Sequence, residues 1–150
     1  MTQPRALMTA QEMIELMEKV FPQALAFGFT IDEVEARRVV ISLPTQQEHL
    51  RPGGTVSGPT MMTLADTAMW LAVLAAIGPV ALAVTTNLNI NFLRRPSPGP
   101  INAEARIFKL GTRLAVGDVS LRSEGQEDLI AHATLTYSIP PPEKRGLPVA

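Results

Sequence analysis

The sequence contains no cysteine, only two histidines and almost no net charge. The absence of cysteine excludes disulfides, thiolate metal sites and cysteine nucleophiles, and it leaves the redox compartment undetermined. A formal net charge of -1 offers no basic surface for nucleic acid or for an acidic membrane, so neither is expected as a partner. Two histidines are weak support for a metal site, and we expect no metal or redox cofactor.

Charged side chains are also absent from the stretch between Arg51 and Arg94, with the single exception of Asp66. A carboxylate in so apolar a run is costly to bury, because desolvation disfavours the ionised form unless donors or opposite charges compensate. Asp66 is therefore a candidate site residue on physical grounds. The alternative is a structural carboxylate satisfied by threonine hydroxyls or by the amides of a neighbouring chain.

A long buried helix is predicted around Asp66, over residues 59–77. The wheel is apolar nearly all round, which indicates burial in a protein core or in a membrane. Asp66 and three threonines favour the core, as do the following strands, which need a surface to pack on. At the start of the helix, Ser57 or Gly58 can cap and Pro59 suits the first helical position. At its end, Gly78-Pro79 is a stop signal.

The remaining elements predict one domain over residues 1–139. A short amphipathic helix is expected at about 9–20, capped by Thr9, and a hairpin at about 27–43. Four strands joined by turns follow the long helix, so we expect an α+β fold in which an antiparallel sheet wraps the helix. Residues 140–150 are proline-rich and are expected to be a disordered tail. The N-terminus lacks the continuous apolar core of a signal peptide, which favours a cytoplasmic location.

The first strand after the helix, residues 84–92, alternates mostly apolar even positions with polar odd positions. This pattern predicts a strand with one buried face. The odd positions include three asparagines, and the simplest interpretation of these is a polar sheet face or a strand-pairing edge at a dimer interface.

Several segments resemble one protein family. RPGGTVSGPTMMTLADTA is followed by AVTTNLNINFLRR, then by AEARIFKLGTRLAVGDVSL and ATLTYSI. Together they look like the hotdog-fold acyl-CoA thioesterases of the phenylacetate-degradation (PaaI-like) type, over roughly residues 27–139. The resemblance implies a hotdog fold and hydrolysis of a CoA thioester with an aryl, short or medium acyl group. It implies no cofactor beyond the coenzyme A of the substrate.

In that family the loop before the helix usually reads Asn-x-x-Gly-x-x-His-Gly-Gly, and an acidic residue follows on the helix. This chain keeps the first glycine as Gly54, the second as Gly58 and the acid as Asp66. It departs from the pattern at three positions, where Arg51 stands for the asparagine, Ser57 for the histidine and Pro59 for the last glycine.

The resemblance assigns roles to these residues. Asp66 is expected to act as the base on water or as a nucleophile, and the Gly58 N–H to hold the carbonyl oxygen at the positive end of the helix. Thr85 is expected to position the water. For Ser57 an N-cap is an equal alternative to a substrate contact. The expected substrate contacts are Ser57, Pro59, Arg51, Gly54, Thr86 and Trp70.

The separation of Gly58 and Asp66 along one helix indicates that a second chain completes the site. Gly58 and Asp66 lie eight residues apart, which at about 1.5 Å per residue separates them by roughly 12 Å along one helix. An oxyanion donor and a base that serve one carbonyl must each lie about 3 Å from the reacting atoms. Two antiparallel helices side by side can meet this condition, so we expect a homodimer with interfacial sites. A tetramer is also expected from the resemblance.

Two other functions stay open. One is a non-catalytic hotdog protein that binds an acyl-CoA or a related ligand, because the family's histidine is missing and Pro59 has no N–H. The other is a hotdog dehydratase or hydratase, although such enzymes carry a histidine with their catalytic acid and the predicted central helix has none beside Asp66.

Overall fold

The computed structural model describes residues 4–145. Two helices and a hairpin come first, then a long helix, then four strands. In chain order these elements are α1 (Ala10–Val20), α2 (Pro22–Ala26), β1 (Thr30–Glu35), β2 (Arg38–Leu43), α3 (Gly58–Ile77), β3 (Val84–Phe92), β4 (Ile101–Leu110), β5 (Leu114–Ser123) and β6 (Leu129–Ser138). A single 3₁₀ turn at Gln47–His49 precedes α3.

Helix α3 begins one residue before the predicted range and ends where expected, at Ile77. Ser57 caps it and Gly78, at φ 95°, ends it, because a left-handed backbone is open to glycine at little cost. Within residues 4–145, α3 is the one helix long and apolar enough to cross a membrane by length and composition, and 67% of its apolar window is buried inside the fold. The burial of α3 that its apolar sequence predicts is therefore provided by packing within the fold.

Helix α1 is fixed at its start by a reciprocal cap. Thr9 Oγ1 accepts from the Glu12 N–H at 3.1 Å, and Glu12 Oε1 accepts from the Thr9 N–H at 3.0 Å. Met13 and Met17 are fully buried and attach one face of α1 to the core. This packing holds the α1–α2 junction beside the middle of α3, where it becomes a wall of the site described below.

The six strands form one antiparallel sheet in the order β1-β2-β4-β5-β6-β3, wrapped around α3. This arrangement is the hotdog fold, and it confirms the expected α+β class. The hairpin turn lies at Ala36-Arg37, within the hairpin that the sequence predicts at about 27–43. In β5, alternate residues such as Ala115, Val119 and Leu121 are fully buried, because one face of the strand meets α3.

Strand β3 does not pair with the strand that follows it in sequence. It lies at the sheet edge against β6, and residues 93–100 carry the chain past β6 and β5 to β4. Three strand spacings of about 4.8 Å make roughly 14 Å, and eight residues reach further than that. The connection is tied to the sheet ends, since the Leu93 N–H donates to Ile130 O and the Ser97 N–H to Ser123 Oγ, both at 2.9 Å.

The prediction that β3 has one buried face is wrong for the single chain. Only Leu88 and Ile90 are partly buried, whereas the side chains of Val84 and Phe92 are 55% and 50% exposed. The alternation itself is real, because Leu88 lies opposite Leu135 and Ile90 opposite Ala133. Much of β3 is exposed because an edge strand lacks a neighbouring strand on one side.

The expected disordered tail, residues 140–150, falls into two parts. A 3₁₀ helix at Pro142–Lys144 follows β6, and Arg145 Nε donates to Pro140 O at 3.1 Å. The first half of this segment therefore has regular structure. Residues 146–150 lie outside the described residues.

Candidate active site

Asp66 lies midway along α3 and opens into a pocket of about 690 Å³. Its walls come from the α1–α2 junction, from α3, and from the start of β3. The lining is mostly apolar and includes four aromatic side chains, at Phe21, Phe27, Trp70 and Tyr137. Phe21 and Trp70 pack edge to face with ring centroids 5.9 Å apart. The predicted contact Trp70 thus lies in the same pocket as Asp66.

Two hydroxyl groups hold the Asp66 carboxylate. Thr85 Oγ1 and the Tyr137 hydroxyl each donate to Asp66 Oδ1 at 2.6 Å. The Tyr137 hydroxyl also lies 3.0 Å from the Asp66 backbone oxygen. Donors to the ionised form offset the desolvation of a half-buried carboxylate, so this environment accommodates the charge.

Thr85 reaches Asp66 because β3 is irregular at Thr86. Thr85 lies opposite Tyr137, and Asn87 lies opposite Thr136, so Thr86 is an extra residue in the ladder. An extra residue reverses the alternation of side chains, and such irregularities often aim a side chain at a site. Thr85 therefore shares a face with Leu88 and Ile90, against the simple odd-even expectation. Thr86 points elsewhere, with Oγ1 3.2 Å from Thr136 O.

The N-terminus of α3 has one uncommitted backbone donor. Ser57 Oγ accepts from the Thr60 N–H at 3.2 Å, and the Met61 N–H donates to Ser57 O at 3.2 Å. Pro59 has no N–H. Among residues 4–145, the Gly58 N–H has no acceptor, so it is free to bind an anionic oxygen at the positive end of the helix.

Ser57 is held as a cap and is not poised as a nucleophile. Besides the Thr60 N–H, its hydroxyl exchanges a 2.8 Å hydrogen bond with Thr60 Oγ1, which in turn donates to His49 O at 3.2 Å. The Ser57 N–H also donates to His49 O at 2.9 Å. These contacts favour the N-cap interpretation of Ser57.

The loop before α3 is a tight turn. The Arg51 N–H donates to Thr55 O at 2.8 Å, and the Gly54 N–H donates to Arg51 O at 3.0 Å. Gly53 and Gly54 have φ values of 102° and 84°, which glycine adopts without strain. The turn places Arg51 beside Gly58 in a second pocket of about 400 Å³, with Phe92 and Arg95 in its walls.

The candidate residues of one chain therefore fall into two groups. Asp66, Thr85 and Trp70 line one pocket, and Gly58 and Arg51 line the other. Ser57, Gly54 and Pro59 surround the second group at the start of α3 but are not part of either pocket wall. This separation is the structural counterpart of the distance along one helix.

Neither histidine lies at the Asp66 pocket. His49 is 3% exposed, accepts from the Gln46 N–H at 2.9 Å through Nδ1, and lies 3.2 Å from Phe27 O through Nε2. It is a buried structural residue of the turn before α3. His132 Nε2 lies 2.7 Å from Asp118 Oδ2 between β6 and β5, a pairing that the sequence did not indicate.

Tyr137 contacts Asp66 directly but was not predicted from the sequence as a site residue. A signal was present, because Tyr137 continues the apolar alternation of Ala131, Ala133 and Leu135 toward the helix. A buried tyrosine usually needs a polar partner for its hydroxyl, and Asp66 is the one charged group in the apolar stretch. The aromatic wall at Phe21 and Phe27 was also missed, because it belongs to segments distant in sequence.

Comparison with known proteins agrees with this fold. The model of the thioesterase superfamily matches residues 53–130. A candidate thioesterase of Silicibacter with a crystal structure is 46% identical, with 91% of this chain and 95% of that chain covered and a TM-score of 0.83. A mutant of the phenylacetic acid degradation protein PaaI from Thermus thermophilus is 27% identical, with 79% and 99% covered and a TM-score of 0.70.

Sequence comparison also finds a relative that is named as an esterase. A candidate esterase of Pseudomonas aeruginosa is 30% identical over 105 residues, which cover 69% of this chain and 77% of that protein. The family match extends over more than half of the sequence and includes both Gly58 and Asp66. The chain belongs to the thioesterase superfamily.

Proposed function

We propose that this protein is an acyl-CoA thioesterase of the PaaI-like type, which hydrolyses a CoA thioester to the free acid and CoA. The observation that carries the proposal is the Asp66 carboxylate, held by two hydroxyl donors at the wall of an apolar pocket. Membership of the thioesterase superfamily supports the same reaction class.

The proposed step uses one donor and one base. Asp66 takes a proton from water while the water oxygen attacks the thioester carbonyl carbon. The Gly58 N–H holds the oxygen of the resulting tetrahedral intermediate, which is the role of an oxyanion hole. The intermediate collapses, the carbon–sulfur bond breaks, and the proton passes to the leaving sulfur of CoA. In a second route, an Asp66 carboxylate oxygen attacks the carbonyl carbon, the carbon–sulfur bond breaks and CoA leaves, and water then hydrolyses the mixed anhydride to the free acid and the Asp66 carboxylate.

The base and the donor come from different protomers in this proposal. Asp66 and Gly58 line separate pockets of one chain, and about 12 Å of helix lies between them. The exposed edge of β3, with Val84 and Phe92 uncovered, suits pairing with a second copy. We propose a homodimer with two equivalent sites, and a tetramer as the assembly of two such dimers.

The pockets suggest how the substrate lies. The Asp66 pocket, with its aromatic walls, suits an uncharged apolar acyl group, either an aryl or a short to medium chain. Arg51 and Arg95 line the Gly58 pocket and provide positive charge for the phosphates of CoA. No histidine is among the described residues that line the Asp66 pocket, which disfavours a dehydratase or hydratase.

One observation favours a second candidate function. The start of α3 has a single free backbone donor among residues 4–145, because Pro59 has none and Thr60 is capped by Ser57. A hole with one donor stabilises an oxyanion less than a hole with two. The second candidate is therefore a protein that binds an acyl-CoA or a related ligand without turning it over.

The test is thiol release from a panel of aryl, short, medium and long acyl-CoAs, with wild type beside Asp66→Asn. We expect wild type to hydrolyse at least one class, and Asp66→Asn to lower that rate by about 10²- to 10⁴-fold, the usual contribution of a general base. Asp128→Asn is the matched control, since Asp128 is an exposed loop carboxylate 3.9 Å from Arg94, and its rate should equal that of wild type.

The same panel separates the two candidates. If wild type releases no thiol from any member, and a CoA ester nevertheless raises its Tm, the thioesterase proposal fails and the binding protein takes its place.

A further inference from the structure

Tyr137 lies where a residue that orients the catalytic acid would lie. It is 2% exposed, stands opposite Thr85 across the β3–β6 ladder, and reaches Asp66 at both the side chain and the backbone. The contact to the backbone oxygen ties the phenol to the body of α3, and the contact to Oδ1 ties it to the carboxylate. A single side chain thus bridges the helix and the reactive group it carries.

The two hydroxyl donors select one oxygen of the carboxylate. Thr85 and Tyr137 both donate to Oδ1, and in residues 4–145 Oδ2 has no hydrogen-bond partner. No side-chain oxygen or nitrogen of those residues is both buried and without a partner, so Oδ2 has surface open to the pocket. The carboxylate is therefore held asymmetrically, with one oxygen anchored and the other free.

We infer that Tyr137 is a positioning residue for Asp66, which anchors Oδ1 so that Oδ2 is the oxygen that takes the proton from water or attacks the thioester. This inference rests on the proposed thioesterase function and deepens it. It also changes the role of Thr85, which was expected to position the water. The Thr85 hydroxyl donates to Asp66 Oδ1 and therefore orients the carboxylate. The pair of hydroxyls fixes the side-chain rotation, which places Oδ2 in one direction.

Tyr137 stays a donor over the whole neutral range. Burial raises the pKa of Tyr137 above its ordinary value of 10.0, and the negative charge of Asp66 raises it further, against a smaller opposing effect of Thr85. A phenol in this state gives its proton to a hydrogen bond and does not lose it to solvent.

The first experiment is kinetic. Tyr137→Phe removes the hydroxyl and keeps the ring, so the pocket wall stays in place. We expect kcat to fall about 10- to 100-fold with KM changed by less than about twofold, because a hydrogen bond to a charged group is lost and substrate contacts are not. An unchanged kcat in Tyr137→Phe, with Asp66→Asn inactive, overturns the positioning role and leaves the thioesterase proposal standing.

The second experiment is spectroscopic and does not depend on turnover. Tyr137 is the only tyrosine of the sequence, so phenolate absorbance after rapid jumps to a series of alkaline pH values, read before the chain unfolds, reports this residue alone. In Asp66→Asn the neighbouring charge is absent, and we expect the phenol to ionise at lower pH than in wild type, while Asp128→Asn behaves as wild type. An unchanged titration in Asp66→Asn overturns the inference. This result does not depend on Tyr137→Phe, so it holds even if that variant fails to fold. A wild type without thioesterase activity overturns both proposals together.

Discussion

At the scale of single residues, hydroxyl groups hold the candidate site. Ser57 and Thr60 close the N-terminus of α3, and Thr85 and Tyr137 anchor Asp66. Each of these hydroxyls is hydrogen-bonded to a neighbour, whereas the Gly58 N–H and Asp66 Oδ2 have no hydrogen-bond partner among residues 4–145. The candidate base and the candidate oxyanion donor stand out because the hydroxyl groups around them are already hydrogen-bonded.

Ser57 is expected to matter for stability more than for turnover. Ser57→Ala removes the acceptor for the Thr60 N–H, and we expect the free energy of unfolding to fall by about 0.5–2 kcal/mol, the usual effect of losing an N-cap. Urea unfolding measures the change, and Ser57→Thr, which keeps a capping hydroxyl, is the control. A loss of thiol release with unchanged stability would instead make Ser57 a substrate contact.

Because Tyr137 is buried beside Asp66, we expect the folded protein to lose stability at alkaline pH. Burial and Asp66 raise the pKa of Tyr137 in the folded protein above its ordinary value of 10.0. The unfolded chain therefore releases the phenolic proton first, and the stability contributed by the neutral phenol is complete below about pH 10 and declines as the pH rises further. We expect the Tm of wild type to fall more steeply above pH 10 than the Tm of Tyr137→Phe. Parallel Tm curves for the two proteins would contradict this linkage.

Single residues differ in how far the sequence reveals them. Asp66 can be recognised from the sequence because it is the only charged residue in a long apolar stretch. Burying a charge is costly, so such a residue is a candidate site residue. Its role as base or nucleophile, and that of Gly58 as donor, remain predictions. Tyr137 is hidden because its importance depends on a contact between residues 71 positions apart, which no local pattern contains.

At the scale of elements, α3 is the part best predicted from the sequence. Its ends depend on local chemistry, namely the Ser57 cap and the Gly78 stop, and its burial depends on a composition that is apolar on all sides. The sheet was predicted less completely. Alternation identifies strands but not their neighbours, so the edge position of β3 and its irregularity at Thr86 could not be read from the pattern.

Gly117 lies where β5 packs closely against both β4 and α3. A Cβ at this position would overlap the Arg106 carbonyl oxygen on β4 and would lie 3.0 Å from the Met69 methyl group on α3. Gly117→Ala forces backbone to move, and we expect a loss of about 1–3 kcal/mol in the free energy of unfolding, typical of overpacking.

The control for this substitution is Gly111→Ala. Its Cβ would have Leu114 O as its nearest neighbour at 3.7 Å, an ordinary contact. Denaturant unfolding of both variants should show a large effect only at position 117. Equal stabilities would mean that β4 and β5 adjust freely at this point.

At the scale of the whole molecule, one chain carries the candidate base and the candidate oxyanion donor in two separate pockets. The Gly58 pocket lies at the start of α3 and the Asp66 pocket lies beside its middle, and the two pockets have no lining residue in common. The sequence predicts this separation from helix geometry alone. It cannot predict the pocket walls, because Phe21 and Phe27 come from segments that precede the family match at residues 53–130.

A heterodimer of two inactive chains tests the shared site most directly. Gly58→Pro removes the free N–H, and the backbone of Ser57 at φ -75° and ψ 155° already suits a residue before proline. Gly58→Ala is the matched control, since it keeps the N–H and its methyl would meet the Phe92 ring at an ordinary 3.4 Å. We expect Gly58→Pro to lower kcat by about 10²- to 10³-fold, the cost of one oxyanion donor.

The decisive measurement is thiol release by a dimer that carries Asp66→Asn in one protomer and Gly58→Pro in the other, isolated with a different affinity tag on each chain. One of its two sites combines an intact Asp66 with an intact Gly58 N–H, so we expect about half of the wild-type rate per dimer. If each chain forms its own complete site, the mixed dimer will be no faster than the two parent variants, and that result would contradict an active site shared between protomers.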